Sequence, residues 1–334
     1  MNPPNPFPIL RLPFLAIEEV FKAMHPFEII NFSMTSKRAK TVTKYMAFYS
    51  KYSVQLCVNK TMGIAIIGTD ERVTCTYLMT SDEQLNGNVE ESGGNVYIIR
   101  KVFKYSKDPV DEWKQLSKYV LEIFKKQTVD VLLMIIDSLV DQNVSIIDFL
   151  KANVKSVNEC YPYQSKEEND VDEHAAYLLN NLTVNNELHS NLQIKNYHFD
   201  EKIFKNLKEL NIYNSQWVGY SRLLEIDCRS VILGKNLISI KEWNLFIKKW
   251  IAMETNKNLK YLELDYRELD EFRALVLHDI LHEVVDGGIK RTINKLSYPN
   301  RNIEINGGID IRRVDGKTAT FFVFQMNFLA MSVH

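Results

Sequence analysis

Between Leu12 and Tyr45 the apolar positions recur at helical spacing. Phe14, Ile17, Val20, Phe21 and Met24 form one stripe. Pro26 ends that segment just after Met24, and Phe27 to Phe32 supply a second short apolar run. Ser33 or Thr35 is placed to cap a third, basic helix through Tyr45. The pattern predicts three short helices within residues 7–48. A piece of roughly 35 residues is too small to be stable alone, so these helices must lean on a neighbouring domain, a partner, or both.

From Tyr52 to Lys104 the period shifts toward two. "YSVQLCV", "MGIAIIG", "VTCTYLM" and "NVYIIRKVF" are strand-like runs punctuated by Gly68, Asn86-Gly87 and Gly93-Gly94, which predicts a small β-rich segment over 52–105. Beyond it, helical and strand patterns alternate. A helix with Trp113, Leu116, Val120 and Phe124 on one side precedes the buried-strand run "VDVLLMII". "SIIDFLKA" reads as a short helix, and "QSKEENDVDE" as a surface loop leading into a helix with an acidic start.

Residues 106–334 then carry three related strings, "LKELNI" at 207–212, "LLEIDC" at 223–228 and "LKYLEL" at 259–264. All fit a loose L-x-x-L-x-L, although their spacing is uneven for leucine-rich repeats, which recur every ~20–29 residues. "SIKEWNLFIKKWI" combines a capping box, Ser239 with Glu242, and a stripe of Trp243, Phe246, Ile247 and Trp250, which marks a helix. Near the C-terminus, Asp315-Gly316 between two β-prone arms calls for a type I′ hairpin, with Arg312, Arg313 and Lys317 discouraging edge pairing. The expected fold class is mixed α/β: three small helices, then an irregular leucine-rich-repeat-like α/β region closed by a β-hairpin.

Composition narrows the function classes. The chain has 334 residues, with 41 Lys plus Arg against 42 Asp plus Glu, so no global charge draws it to nucleic acid or an anionic membrane. The basic run Ser36-Lys37-Arg38-Ala39-Lys40 has no interleaved aromatic platform for bases. There is neither a signal-peptide pattern nor a run of roughly 18 apolar residues, which predicts a cytoplasmic or nuclear protein. Cys57, Cys75, Cys160 and Cys228 lack paired spacing, so free thiols in a reducing compartment are expected. Trp217, Trp243 and Trp250 are expected core anchors.

The search for chemistry returns one decoy. In "VLHDILHEVV", His278 and His282 stand four apart on a predicted helix, with Asp279 in the place of the glutamate of H-E-x-x-H. Two imidazoles on one helix face can share a metal, which makes a metal-dependent hydrolase a rival reading. No third ligand sits at a recognisable spacing, and ordinary helix histidines are the plainer reading. Phosphate-cradling glycine loops and the G-x-S-x-G turn are missing from the sequence, and no cofactor is expected.

The stretch "LPFLAIEEVFKAMHPFEIINFSMTSKRA" resembles an F-box. The matching positions are Leu12 and Pro13, then Ile17, Val20, Phe21 and Met24, then Glu28 with Ile29 and Ile30, then Ser36, Lys37 and Arg38. Leu15 and Ala39 depart from the pattern, replacing a common glutamate and a common aromatic. Over roughly 195–325, "ISIKEWNLFIKKWIAMETNKNLKYLEL" and "GGIDIRRVDGKTATFFVF" look like the nematode F-box-associated domain of the second type. The resemblance implies a non-catalytic substrate receptor of an SCF-type ubiquitin ligase. In such a receptor Leu12, Pro13, Ile17, Val20, Phe21, Met24, Ile29, Ile30, Ser36, Lys37 and Arg38 would dock on the adaptor subunit, and through it on a cullin. The rest would bind a protein substrate at residues the sequence leaves unassigned. The rival from another class is a repeat-type binding module whose N-terminal helices only cap it.

Overall fold

The structure is a computed structural model; it describes residues 8–46, 52–68, 73–94, 97–264, 268–295, 301–324 and 328–334. Of the expected boundaries, 7, 48 and 325 lie outside these residues. The chain forms two compact units, residues 1–134 with 141–157, and residues 135–140 with 158–334.

The first unit opens with α1 (Phe14–Ala23), α2 (Pro26–Met34) and α3 (Lys37–Met46). Pro26 is the first residue of α2, where its missing N–H costs nothing, and the Glu28 carboxylate accepts from the His25 N–H at 3.0 Å. The cap of α3 is Ser36, whose Oγ accepts from Ala39 N at 3.1 Å, in place of the expected Ser33 or Thr35. Ser33 is instead buried, its Oγ donating to Ile30 O at 2.6 Å.

The strands follow as β1 (Tyr52–Val58), β2 (Gly63–Gly68), β3 (Val73–Thr80), β4 (Val89–Gly93) and β5 (Ile98–Tyr105), then α4 (Pro109–Ile123), β6 (Thr128–Ile135) and α5 (Asn143–Asn153). Their order in the sheet is β6-β1-β2-β3-β5-β4. Because β6 pairs in parallel with β1, the first unit runs past the expected break at 105/106. The helix α4, capped by Asp108, buries Trp113, Leu116 and Val120, and the Trp113 indole donates to Gly63 O at 2.9 Å.

The second unit contains β7 (Ser156–Tyr163), which begins just before it, then α6 (Asp172–Asn181), β8 (Val184–Ser190), β9 (Glu209–Ile212), α7 (Tyr220–Glu225) and β10 (Ser230–Leu233). After these come α8 (Ile240–Ile251), β11 (Tyr261–Leu264), α9 (Leu269–Leu275), β12 (His282–Lys295), β13 (Arg301–Arg312), β14 (Thr318–Phe324) and β15 (Phe328–Val333). The sheet order is β7-β8-β9-β10-β11-β15-β14-β13-β12, with β8 to β11 parallel and the last four antiparallel. Leu188, Leu210, Val231, Leu262, Met331, Phe321 and Ile309 lie side by side in register and are all buried, forming one apolar row beneath the helices.

Three expectations change. "LLEIDC" is not a strand: Leu223 and Leu224 belong to α7, and the strand is "SVIL". An L-x-x-L spacing fits a helix turn as well as a repeat strand, which is why the string misled. The hairpin lies where expected, but Asp315 does not have positive φ and only Gly316 does (φ 88). Gly316 N donates to Arg313 O and Arg313 N to Lys317 O, both at 2.9 Å, so the loop is a type I turn closed by a left-handed glycine. Arg313 is not an edge charge. It is buried, its guanidinium 5.0 Å from the Trp250 ring centre and bound to Asp315 at 2.7 Å and Lys257 O at 3.1 Å. The expected anchors Trp217, Trp243 and Trp250 are all buried.

Trp113→Ala removes the largest buried side chain of the first unit and the indole donor to the Gly63 carbonyl. We expect a loss of about 3–5 kcal/mol in that unit's stability by urea unfolding, against less than about 0.5 kcal/mol for the exposed Lys118→Ala.

Candidate functional site

The three N-terminal helices are built onto the unit that follows them. Phe27 packs edge-on against Tyr77 of β3 at 4.6 Å between centroids, and Ser33 Oγ lies 2.9 Å from Tyr119 Oη of α4. Lys40 and Lys44, one turn apart on α3, grip the two oxygens of Glu122 at 2.9 Å each, and the Lys40 ammonium sits 4.7 Å over the Tyr119 ring. The two lysines hold the Glu122 carboxyl below its ordinary range. The predicted dependence on a neighbour is thus met inside the chain.

That docking decides which stripe residues remain available. Ile17 and Phe21, one turn apart, point inward with Ile29 and Ile30, and all four are buried. Helical period places these four, all among the expected adaptor-docking residues, in this chain's own core. Leu12, Val20 and Met24 are half-buried, while Pro13, Ser36, Lys37 and Arg38 are exposed. Arg38 also donates to Leu10 O at 3.3 Å.

Two apolar residues that sequence reasoning had not assigned to docking stand out at the start of α1: Phe14 is 64% and Leu15 73% exposed. Their signal in the sequence was a pair of adjacent large apolar residues directly after a proline, with Leu15 off the helical stripe. The other departure, Ala39, is fully buried.

In the second unit, His278 and His282 are not on one helix. After α9 ends at Leu275 the chain turns, because the Asn244 amide of α8 donates both to Val276 O at 2.7 Å and to the Asp279 carboxylate at 2.8 Å. His278 Nδ1 then lies 3.0 Å from Leu275 O, whereas His282 opens β12 with Nδ1 2.7 Å from Ile280 O. The shared helix face on which the metal reading depended does not exist. Among the described residues no group of three or more His, Cys, Asp or Glu side chains is placed to hold a metal, and no helix is long and apolar enough to cross a membrane.

The sheet face opposite the apolar row is polar. Glu187 of β8 accepts from His189 at 3.3 Å and Lys208 at 2.8 Å, and Glu209 of β9, buried, lies 3.6 Å from the same imidazole. The His189 ring stacks on Tyr161 at 4.8 Å. The imidazole first, and then Lys208, pull the Glu187 carboxyl down to about 2 against the cost of burial.

Comparison with known proteins places two family matches on these units. The F-box domain matches residues 9–51 and the F-box associated family matches residues 198–264. The chain therefore carries an F-box followed by an F-box-associated segment, on a mixed α/β fold. It is similar to the Skn-1 dependent zygotic transcript 15 protein of Caenorhabditis elegans, with 25% identity over 353 aligned positions that cover 94% of this chain and 93% of that protein. No solved structure matches the chain significantly.

Since Glu187 has a folded pKa below its unfolded value, its contribution is present above pH ~4.5 and fades as pH falls toward 2. The thermal midpoint of the second unit should drop over that window, and Glu187→Gln should lower the midpoint at pH 7 while flattening the acid-side slope. An unchanged slope in the variant would contradict the ion-pair assignment.

Proposed function

We propose that this protein is the substrate-recognition subunit of an SCF-type ubiquitin ligase. Its F-box docks on the adaptor subunit that bridges to a cullin, and its second unit holds a protein substrate. The observation that carries the reading is the pairing, in order, of an F-box and an F-box-associated segment, supported by a helix start that leaves Leu12, Pro13, Phe14 and Leu15 at least partly exposed beyond the chain's own core. An apolar patch of this kind, together with the exposed Ser36, Lys37 and Arg38 at the start of α3, suits a helix-lined partner groove.

Such a receptor performs no bond chemistry and needs no cofactor. Its contribution is effective concentration: a substrate tethered near a charged conjugating enzyme presents its lysine as if intramolecularly, which requires two binding surfaces. Location in the cytoplasm or nucleus belongs to the same proposal and accords with four unpaired cysteines. The rival reading, a binding module whose helices serve only its own core, draws on the burial of Ile17, Phe21, Ile29 and Ile30.

Calorimetry of the purified full chain with the adaptor subunit separates the two. The receptor reading expects binding that weakens more than about tenfold, or ~1.4 kcal/mol, in Leu15→Asp and in a Leu12→Ala, Pro13→Ala pair, with the second unit's melting unchanged. No binding by the parent chain would leave the rival reading standing, and full binding by both variants would remove the start of α1 from the docking surface.

A further inference from the structure

The parallel strands β8 to β11 all end on one rim of the second unit, the edge at which open α/β sheets take their ligands. Leu233 of β10 stands beside Ile212 of β9, so the residues that follow them, Gly234 and Tyr213, are neighbours as well. Hydrogen bonds tie the two loops together. Gly234 N donates to Ile212 O at 3.0 Å, and Ser215 donates to Gly234 O at 2.9 Å from both its N–H and its Oγ. A Cβ on Gly234 would meet Tyr213 O at 2.5 Å, so only glycine lets the two backbones approach this closely.

The residues after Gly234 are held just as firmly while their side chains face water. Lys235 has a left-handed backbone (φ 49), and its ammonium lies 5.0 Å from the centre of the Tyr213 ring. The Asn236 side chain donates to Leu233 O at 3.0 Å and accepts from Ile238 N at 3.1 Å, which pins the loop from within. Leu237 is left 65% exposed and Tyr213 55%. The helix α8 then opens with Ile240, 41% exposed, and Lys241, also exposed.

Two features separate this patch from scattered surface leucines. Tyr213, Leu237 and Ile240 come from loops fixed to one another, so a partner meets a surface already in its bound shape and little entropy is lost in ordering it. The charge is one-sided. Among the described residues neither Lys235 nor Lys241 has a carboxylate partner, whereas the acid beside them, Glu242, is engaged in capping α8, accepting from Ser239 N at 2.8 Å and Oγ at 2.7 Å. In chain order Leu237 and Ile240 lie between the two lysines, so the complement is an apolar side chain flanked by acidic ones. An anionic membrane is the poorer match, because its recognition takes about four to eight clustered basic residues and this patch offers Lys235 and Lys241 alone.

We propose that this rim is where the second unit takes hold of its protein substrate, and that the segment it binds is acidic. Carboxylates face Lys235 and Lys241, and an apolar side chain between them rests on Tyr213, Leu237 and Ile240. Every contact is made by side chains that already face water on a rigid edge. The ammonium groups act as point charges that carboxylates reach from several directions, and the apolar contact fixes the register. The word substrate rests on the receptor reading, but the docking itself needs no ligase.

The test uses the full chain and four pools of fluorescein-labelled nonapeptides, read by fluorescence anisotropy. Three pools have leucine at the centre, with the neighbouring positions drawn from Asp and Glu, from Asn and Gln, or from Lys and Arg; the fourth has the acidic neighbours around a central serine. The acidic leucine pool is expected to bind about tenfold or more tighter than the amide and basic pools, to weaken as salt is raised, and to lose about fivefold when serine replaces leucine. Lys235→Glu combined with Lys241→Glu should abolish the acidic preference, and Leu237→Ser the leucine preference, at positions exposed enough that folding is not at stake. Lys118→Glu on α4 should change neither. Equal binding of all pools, an acidic preference that survives the double lysine variant, or binding to phosphatidylserine-containing vesicles in place of the acidic pool would overturn the proposal. Adaptor calorimetry on the same variants keeps the readings apart. Adaptor binding without acidic preference removes only this site, and acidic preference without adaptor binding removes only the ligase role.

Discussion

The structure depends first on the seat that α4 and β3 provide for three helices too short to fold alone. Tyr119 and Glu122 on one helix, and Tyr77 on one strand, engage α2 and α3 through a hydroxyl pair, two lysine grips and an aromatic edge contact. Each contact is modest, and the ion pairs are half-exposed and worth little singly. Together with the burial of Phe21, Ile29 and Ile30 they join the F-box to the β-rich segment as one unit. One face of α1 is used inwardly, which leaves its first turn, Phe14 and Leu15, facing water. An exposed apolar pair at a helix start is what a binding partner can use, and it costs the free chain little because the core is already closed beneath it.

The second unit solves a different problem with one device. Parallel strands feed helices that cover one face, so every second residue is aliphatic and the alternate residues are free to be polar. The register then does the positioning: side chains far apart in sequence, from Glu187 to Asp310, stand next to one another because their strands are neighbours. The closing strands β12 to β15 extend the row and place Arg313 under the hairpin, where it stacks on Trp250 of α8 and ties the end of the sheet to its covering helix.

Much of this was legible in the sequence, and what was not has identifiable causes. Helical period and proline placement marked α1 and α2, and the capping box at Ser239 marked α8, because these signals are local. Which side of α1 faces inward was hidden, since α1 packs through Phe21 on Phe32 of α2, and α2 and α3 are in turn seated by Tyr77, Tyr119 and Glu122, remote in sequence. The helix expected through His278 and His282 was broken by Asn244, whose amide captures the Val276 carbonyl across more than thirty residues. "LLEIDC" carried a repeat-like spacing yet is helical where its leucines fall. The polar face was invisible because register is a property of pairing, and no single strand of four residues reveals its neighbours.

The central claim is that the F-box helices are part of the first unit's fold while their outer turn is kept for a partner. Hydrogen exchange on the full chain, with and without the adaptor subunit, addresses it directly. The account predicts that amides in α2 and α3 exchange as slowly as those in α4 in the free chain, and that the adaptor adds protection chiefly over residues 12–24. Fast exchange throughout α1 to α3 beside a slow α4 would contradict it, because the helices would then not be seated on the unit that is said to hold them.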